Sequence, residues 1–157
     1  MLTNLKVDPE QLPKRVIVCG DPKRAALIAT KLTDHRQIGE NREYHSYAGT
    51  WKGVEVAVVS HGVGSPGAAV CFEELAKGGV QTIIRVGTAG SYQREIEPGS
   101  LVISSAAVRQ DGLTSQLVPA GFPAVANRRV ADALVQAAQA NDSGLQVAEG
   151  ITLTLDV

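Results

Sequence analysis

A chain of 157 residues is long enough for one domain that buries roughly 70% of the surface its unfolded form exposes. With 44% hydrophobic and 20% charged residues and a formal net charge of -1, it falls outside the disordered regime and lacks the basic surface that nucleic acid requires. No apolar run approaches the roughly 20 residues of a membrane span, and residues 1–10 carry no basic-then-apolar leader, so the expected setting is the cytoplasm, with no membrane, and the expected partner a small molecule or a second copy.

Arg15-Val16-Ile17-Val18-Cys19 is a β-branched run that predicts a strand, closed by Gly20-Asp21-Pro22. Ala25, Leu27, Ile28 and Leu32 then recur at helical spacing. Tyr44–Trp51 and Val54–Ser60 predict two strands joined by a tight turn at Lys52-Gly53, the second apolar enough to be internal. Beyond the glycine-rich residues 61–67, Ala68, Cys71, Phe72, Leu75 and Ala76 share one helical face until Gly78-Gly79 stops it, with Glu73 and Lys77 as a solvent-side i,i+4 pair. Thr82-Ile83-Ile84-Arg85-Val86 predicts a central strand that breaks at Gly87-Thr88-Ala89-Gly90. A strand over residues 101–108, a helix after Asn127 marked by Val130, Leu134, Val135 and Ala138, and a strand over residues 145–155 that returns to the sheet complete the pattern. Strands alternating with helices imply a single α/β domain over residues 1–157 with a largely parallel sheet, whose carboxyl strand ends gather ligands. Cys19 and Cys71 lie in apolar segments without CxxC or Cys/His metal spacing, so both are expected as buried, reduced core residues and no metal site is expected.

Three glycine-rich loops fall at such strand ends. In the first, Gly20 lets backbone approach a ligand and Arg24 stands one turn into a helix, the outline of an anion site. Pro22 in the first helical position, capped by Asp21, explains the same residues as an ordinary turn. In the third, Arg85 carries charge in an apolar strand and is followed by Thr88 and free backbone N–H groups. Burying that charge calls for a bound oxyanion or a buried carboxylate, and the sequence leaves both open. Gly20, Arg24, Arg85 and Thr88 can together surround one phosphate, guanidinium forks matching its oxygens and the hydroxyl adding a neutral donor. In the middle loop Gly62 and Gly64 permit close approach to a ligand or tight packing, and His61 reads as structural.

Gly20-Asp21-Pro22-Lys23-Arg24, Asn41-Arg42-Glu43-Tyr44, Ser60-His61-Gly62-Val63-Gly64-Ser65-Pro66-Gly67, Glu73-Glu74-Leu75, Arg85-Val86-Gly87-Thr88-Ala89-Gly90 and Phe122-Pro123-Ala124-Val125 stand in the order and approximate spacing of one family. On that ordered set, which spans nearly the whole chain, the sequence resembles the nucleoside phosphorylases of the uridine phosphorylase and hexameric purine nucleoside phosphorylase type. The resemblance implies a three-layer phosphorylase/hydrolase-like fold, with a central mixed, mostly parallel sheet flanked by helices. It implies phosphorolysis of a uridine or purine ribonucleoside to free base and ribose 1-phosphate. Gly20, Arg24, Arg42, Arg85 and Thr88 would hold phosphate, Arg24 and Arg85 being catalytic by positioning it, and Asn4, Val63, Ala89 and Gly90 would face the nucleoside. The resemblance further implies a homo-oligomer, a dimer or trimer of dimers, in which Arg42 and Asn4 reach a neighbour's site, and no cofactor beyond inorganic phosphate as co-substrate. By itself Arg42 reads as a solvated loop arginine.

The sequence departs from that family at two places. Asn4 precedes Leu5-Lys6 where the family has a histidine that reaches a neighbour's ribose, and His35 and His45 read as surface or turn residues. Thr154-Leu155-Asp156 matches poorly a Ser-Ser-Asp-like segment, after which the family continues into a methionine-rich ribose clamp and the groups that bind the base; Met1 is the sole methionine here. The expectation is a chain without the family's C-terminal part, whether a fragment, a chain shortened by a gene lesion or a trimmed phosphate-binding domain without turnover, stopping at Val157 inside a strand. Water in place of phosphate would make it a nucleoside hydrolase of the same fold, a reading that Arg24 and Arg85 disfavour. Thr88 and residues 122–125 look closer to uridine phosphorylases, residues 60–64 and 71–75 to purine phosphorylases.

Overall fold

A computed structural model describes residues 1–141 and 144–156; the expected stop at Val157 lies outside them. Contacts divide the chain between two compact units, Met1–Thr88 and Ala89–Val157.

The first unit is built on a five-stranded sheet in the order β2-β3-β4-β1-β5, with β1 at Arg15–Cys19, β2 at Thr33–Asn41, β3 at Tyr44–Trp51, β4 at Val54–Ser60 and β5 at Thr82–Arg85. It is mixed: β1 pairs in parallel with β4 and β5, while β2 with β3 and β3 with β4 are antiparallel. Helix α1 (Pro22–Ala29) follows β1, and α2 (Ser65–Lys77) follows β4. Because successive strand residues face opposite sides, β1 and β4 each feed two cores. Val16, Val18, Ala57 and Val59 face Cys71 and Leu75 of α2 together with Leu2, Leu5, Val7 and Leu12. Cys19 and Val58 face the other way, toward Ala25 of α1 and Leu32. Strands covered on both faces must be apolar throughout, which is why β1 and β4 read as continuous runs. The mixed sheet between helices is the architecture the resemblance implied.

Asp21 caps α1 by accepting from Lys23 N at 2.9 Å, with Pro22 in the first turn. On α2 the buried face differs from expectation: Glu74 is buried, Ala76 is exposed, and Glu73 and Lys77 are exposed without an ion pair among the described residues. Glu74 accepts from Asn4 N at 2.8 and 2.9 Å, from Asn4 Nδ2 at 2.7 Å and from Leu5 N at 2.9 Å. Burial pushes its carboxyl up, but these donors outweigh it and hold the group below its ordinary value. The carboxylate thereby fastens the N-terminal segment to the core it helps fill. β5 lies at the edge of the sheet rather than at its centre.

In the second unit β6 (Leu101–Gln110) and β7 (Val147–Leu155) form a parallel two-stranded sheet of their own. The last strand therefore pairs with β6 and does not return to the five-stranded sheet. Between them run the short α3 (Thr114–Leu117) and α4 (Arg128–Ala140), the latter capped by Asn127 through Arg129 N and Val130 N. Among the described residues no helix is long and apolar enough to cross a membrane.

Candidate phosphate-binding site

Three strands of the first unit end together. Cys19 pairs with Ser60 and Val18 with Arg85, so the loops that leave β1, β4 and β5 begin at the carboxyl ends of these three strands. The backbone extends that alignment: His61 N donates to Cys19 O at 2.9 Å, Gly62 N to Gly20 O at 2.9 Å and Val86 N to Val18 O at 2.8 Å. A Cβ on Gly20 would stand 3.1 Å from the Gly62 carbonyl oxygen. Gly62 itself, at φ +74, has the Glu43 side chain where its Cβ would be, 2.6 Å from Glu43 Cγ. Of the two readings left open for Gly62, tight packing is the one realised.

Arg85 is exposed, and its charge escapes the desolvation expected of it in a central strand. Its Nε donates to His61 Nε2 at 3.2 Å. Its guanidinium lies over Gly87, where a Cβ would come within 2.6 Å of Nη1. Among the described residues neither η nitrogen has a hydrogen bond and no carboxylate pairs with the group, so the buried-carboxylate explanation of Arg85 does not hold. His61 is 2% exposed and meets Phe72 of α2 edge-on, ring centroids 5.8 Å apart. Burial, and then the Arg85 charge, lower its pKa from the ordinary 6.5. An arginine can only donate, so Nε2 is the acceptor and the proton of the neutral ring is assigned to Nδ1.

Arg24 stands half-buried in the first turn of α1 with no hydrogen bond or ion pair to any described residue. Burial raises the Cys19 thiol pKa, and Arg24 and Arg85 both act to lower it. Both guanidinium groups are thus within electrostatic reach of the end of β1. Thr88 is exposed three residues beyond Arg85. Cys19 and Cys71 are buried and free.

Arg42, Asn4 and Val63 are not drawn into this cluster. Arg42 is exposed in the β2–β3 hairpin turn at φ 55. Asn4 donates its side-chain amide to Glu74, and its backbone carbonyl accepts from Asn41 Nδ2 at 2.7 Å, so the donor expected to reach a neighbour is engaged in its own chain. Val63 is fully exposed; Ala89 and Gly90 are exposed and belong to the second unit. His45, expected at the surface or in a turn, is half-buried within β3, its Nε2 3.2 Å from Arg42 O. His61, read from the sequence as structural, is brought to Arg85 by the register of β4 and β5 on β1; the sequence signalled only that it directly follows an apolar strand.

The sequence profile of the phosphorylase superfamily matches residues 14–157. The chain is 39% identical over 156 residues to a uridine phosphorylase of Thermococcus kodakarensis, covering 99% of this chain and 56% of that protein. It is 40% identical over 158 residues to a purine nucleoside phosphorylase of Plasmodium falciparum, covering 100% of this chain and 64% of that one. Among solved structures, uridine phosphorylase from Vibrio fischeri superposes with a TM-score of 0.95 at 29% identity, covering 99% of this chain and 64% of the other. Purine nucleoside phosphorylase from Toxoplasma gondii, in complex with immucillin-H, gives 0.94 at 35% identity, with 100% and 63% covered. This chain thus spans between 56% and 64% of the length of these relatives. With a match over residues 14–157 and the fold of those structures, the chain belongs to the phosphorylase superfamily.

Proposed function

We propose that the protein is a nucleoside phosphorylase, cleaving a uridine or purine ribonucleoside with inorganic phosphate to give free base and ribose 1-phosphate. The observation that carries this reading is the pair of guanidinium groups, Arg24 and Arg85, without carboxylate partners among the described residues and both acting on Cys19, where three strands end. Such a pair, with backbone N–H groups and Thr88 as a neutral donor, suits a dianion.

The chemistry asks little more of these residues. As the glycosidic bond loosens, the ribose takes on oxocarbenium character, which an adjacent phosphate stabilises before a phosphate oxygen bonds to the anomeric carbon. The electron pair of the breaking C–N bond leaves with the base. Arginines hold and orient the anion, and no side chain attacks. In the same reading Val63, Ala89, Gly90 and the uncommitted Asn4 Oδ1 face the nucleoside, and Arg42 completes the phosphate site of a neighbour in a dimer or trimer of dimers. Phosphate is the co-substrate, no other cofactor is used, and the free cysteines fit a cytoplasmic setting.

The test is base release from uridine and from inosine, with and without inorganic phosphate. Release that requires phosphate and yields ribose 1-phosphate is expected. Equal release in phosphate-free buffer, or none from either nucleoside, would overturn the proposal.

A further inference from the structure

We infer that His61 is a positioning residue of the anion site: by accepting from Arg85 Nε it fixes the guanidinium so that its two η amines, not its ε edge, face the bound oxyanion. The inference rests on the phosphate reading of Arg85.

An arginine offers two forks to an oxyanion, one from Nε with an η amine and one from the two η amines. At Arg85 the first is closed, because Nε is 3.2 Å from His61 Nε2. The anchor is rigid where the arginine is not. His61 is 2% exposed, edge-on to Phe72, with its backbone N–H bonded to Cys19 O at 2.9 Å, whereas Arg85 is exposed. Gly87 completes the cradle by letting the guanidinium lie against the backbone, 2.6 Å from where a Cβ would stand. A flexible cation loses rotamer freedom when it binds, and holding it beforehand removes part of that loss.

The ring's other nitrogen argues against a purely structural histidine. Among the described residues Nδ1 is buried without a partner of full hydrogen-bond geometry, the His61 and Gly62 backbone acting on the ring only weakly, and the one side chain bonded to this buried polar ring is Arg85. A core position with no further task would be filled more stably by an apolar residue. The bond also requires the neutral ring, since a protonated one would set N–H against N–H. Arg85 from β5 is the charged group acting on the imidazole; Phe72 of α2 and Gly20 after β1 bring no charge, and Glu43 of the hairpin lies against Gly62.

Sulfate is the suitable probe, because it stays a dianion where inorganic phosphate changes charge. Sulfate affinity is measured for the wild type, His61→Phe, which keeps the ring contact and loses the acceptor, His61→Gln, which restores an acceptor near Nε2, and Arg85→Ala, each with a thermal unfolding curve. Expected are a loss of about tenfold in His61→Phe, recovery to within about threefold in His61→Gln, and no saturable binding in Arg85→Ala. Because burial and Arg85 lower the His61 pKa, wild-type affinity should hold down to the ordinary histidine value of 6.5 and fall only as pH drops further below it, while His61→Gln stays flat; this arm decides the matter if His61→Phe does not fold. His61→Phe binding as the wild type does, or His61→Gln falling with pH in parallel with it, would overturn the positioning role. Undiminished sulfate binding in Arg85→Ala would instead overturn the phosphate reading beneath it.

Discussion

Gly87 illustrates a glycine kept for a neighbour's side chain. A Cβ there would stand 2.6 Å from Arg85 Nη1, the far end of a flexible chain that can swing aside. Gly87→Ala should therefore change folding stability by less than about 0.5 kcal/mol while weakening phosphate binding several-fold, read from unfolding curves and a phosphate titration of the same variant. Gly62→Ala should behave oppositely. Its φ of +74 and the Glu43 side chain at 2.6 Å leave no comfortable place for a Cβ, and a loss of about 1–2 kcal/mol from the left-handed backbone alone is expected in denaturant unfolding. At this scale the sequence nominated Gly20, Arg24, Arg85 and Thr88 by residue type; in the structure Arg85 stands at the strand end that Gly20 follows, and Arg24 acts with it on Cys19. It could not reveal His61 as the partner of Arg85. That relation depends on register, Cys19 opposite Ser60 and Val18 opposite Arg85, which a linear pattern does not carry.

Elements bounded by turn signals and filled by both faces of the sheet were legible. β1, β3 and β4 have the predicted bounds, and the caps at Asp21 and Asn127 are where the residue types put them. β2 was not legible. Thr33–Asn41 is polar and mostly exposed, without alternation, and is held as a strand by pairing with β3, from Asn41 opposite Tyr44 to Thr33 opposite Thr50. The start of α2 was read late because Gly64 and Pro66 look like breakers, yet a proline in the first turn lacks only a donor that has no partner there. Buried Glu74 was likewise hidden, since nothing in α2 announces that its partners are Asn4 and Leu5. Removing it in Glu74→Ala leaves those buried donors unpaired and should cost about 3 kcal/mol. Its pH signature has a definite sign. The folded carboxyl titrates below its ordinary 4.5, so its contribution is present above that value and is lost as pH falls through the lower, folded one. Unfolding curves at neutral and acid pH should show the wild type losing more stability than Glu74→Ala; equal losses would remove Glu74 from the account.

Across the whole molecule the buried apolar residues are unevenly shared. Of those described, only Ile103 and Ala131 belong to the second unit, which also leaves Ile151, Leu153 and Leu155 exposed. Hydrogen exchange should follow, with amides of Val18 and Val59 protected at least about tenfold more than those of β7; uniform protection would contradict this. The α/β class was legible because alternating strands and helices admit few arrangements, but that pattern implied a largely parallel sheet; its mixed character came from the resemblance, and β3 pairs antiparallel with both β2 and β4. The separate pairing of β6 with β7 was not, because periodicity marks a strand without naming its partner. The central claim is that Arg85, without a carboxylate partner among the described residues, holds phosphate at the common end of β1, β4 and β5. Calorimetric titration of the wild type and Arg85→Ala with inorganic phosphate tests it most directly: one saturable site in the wild type and none in the variant is predicted, and equal binding by both would contradict it.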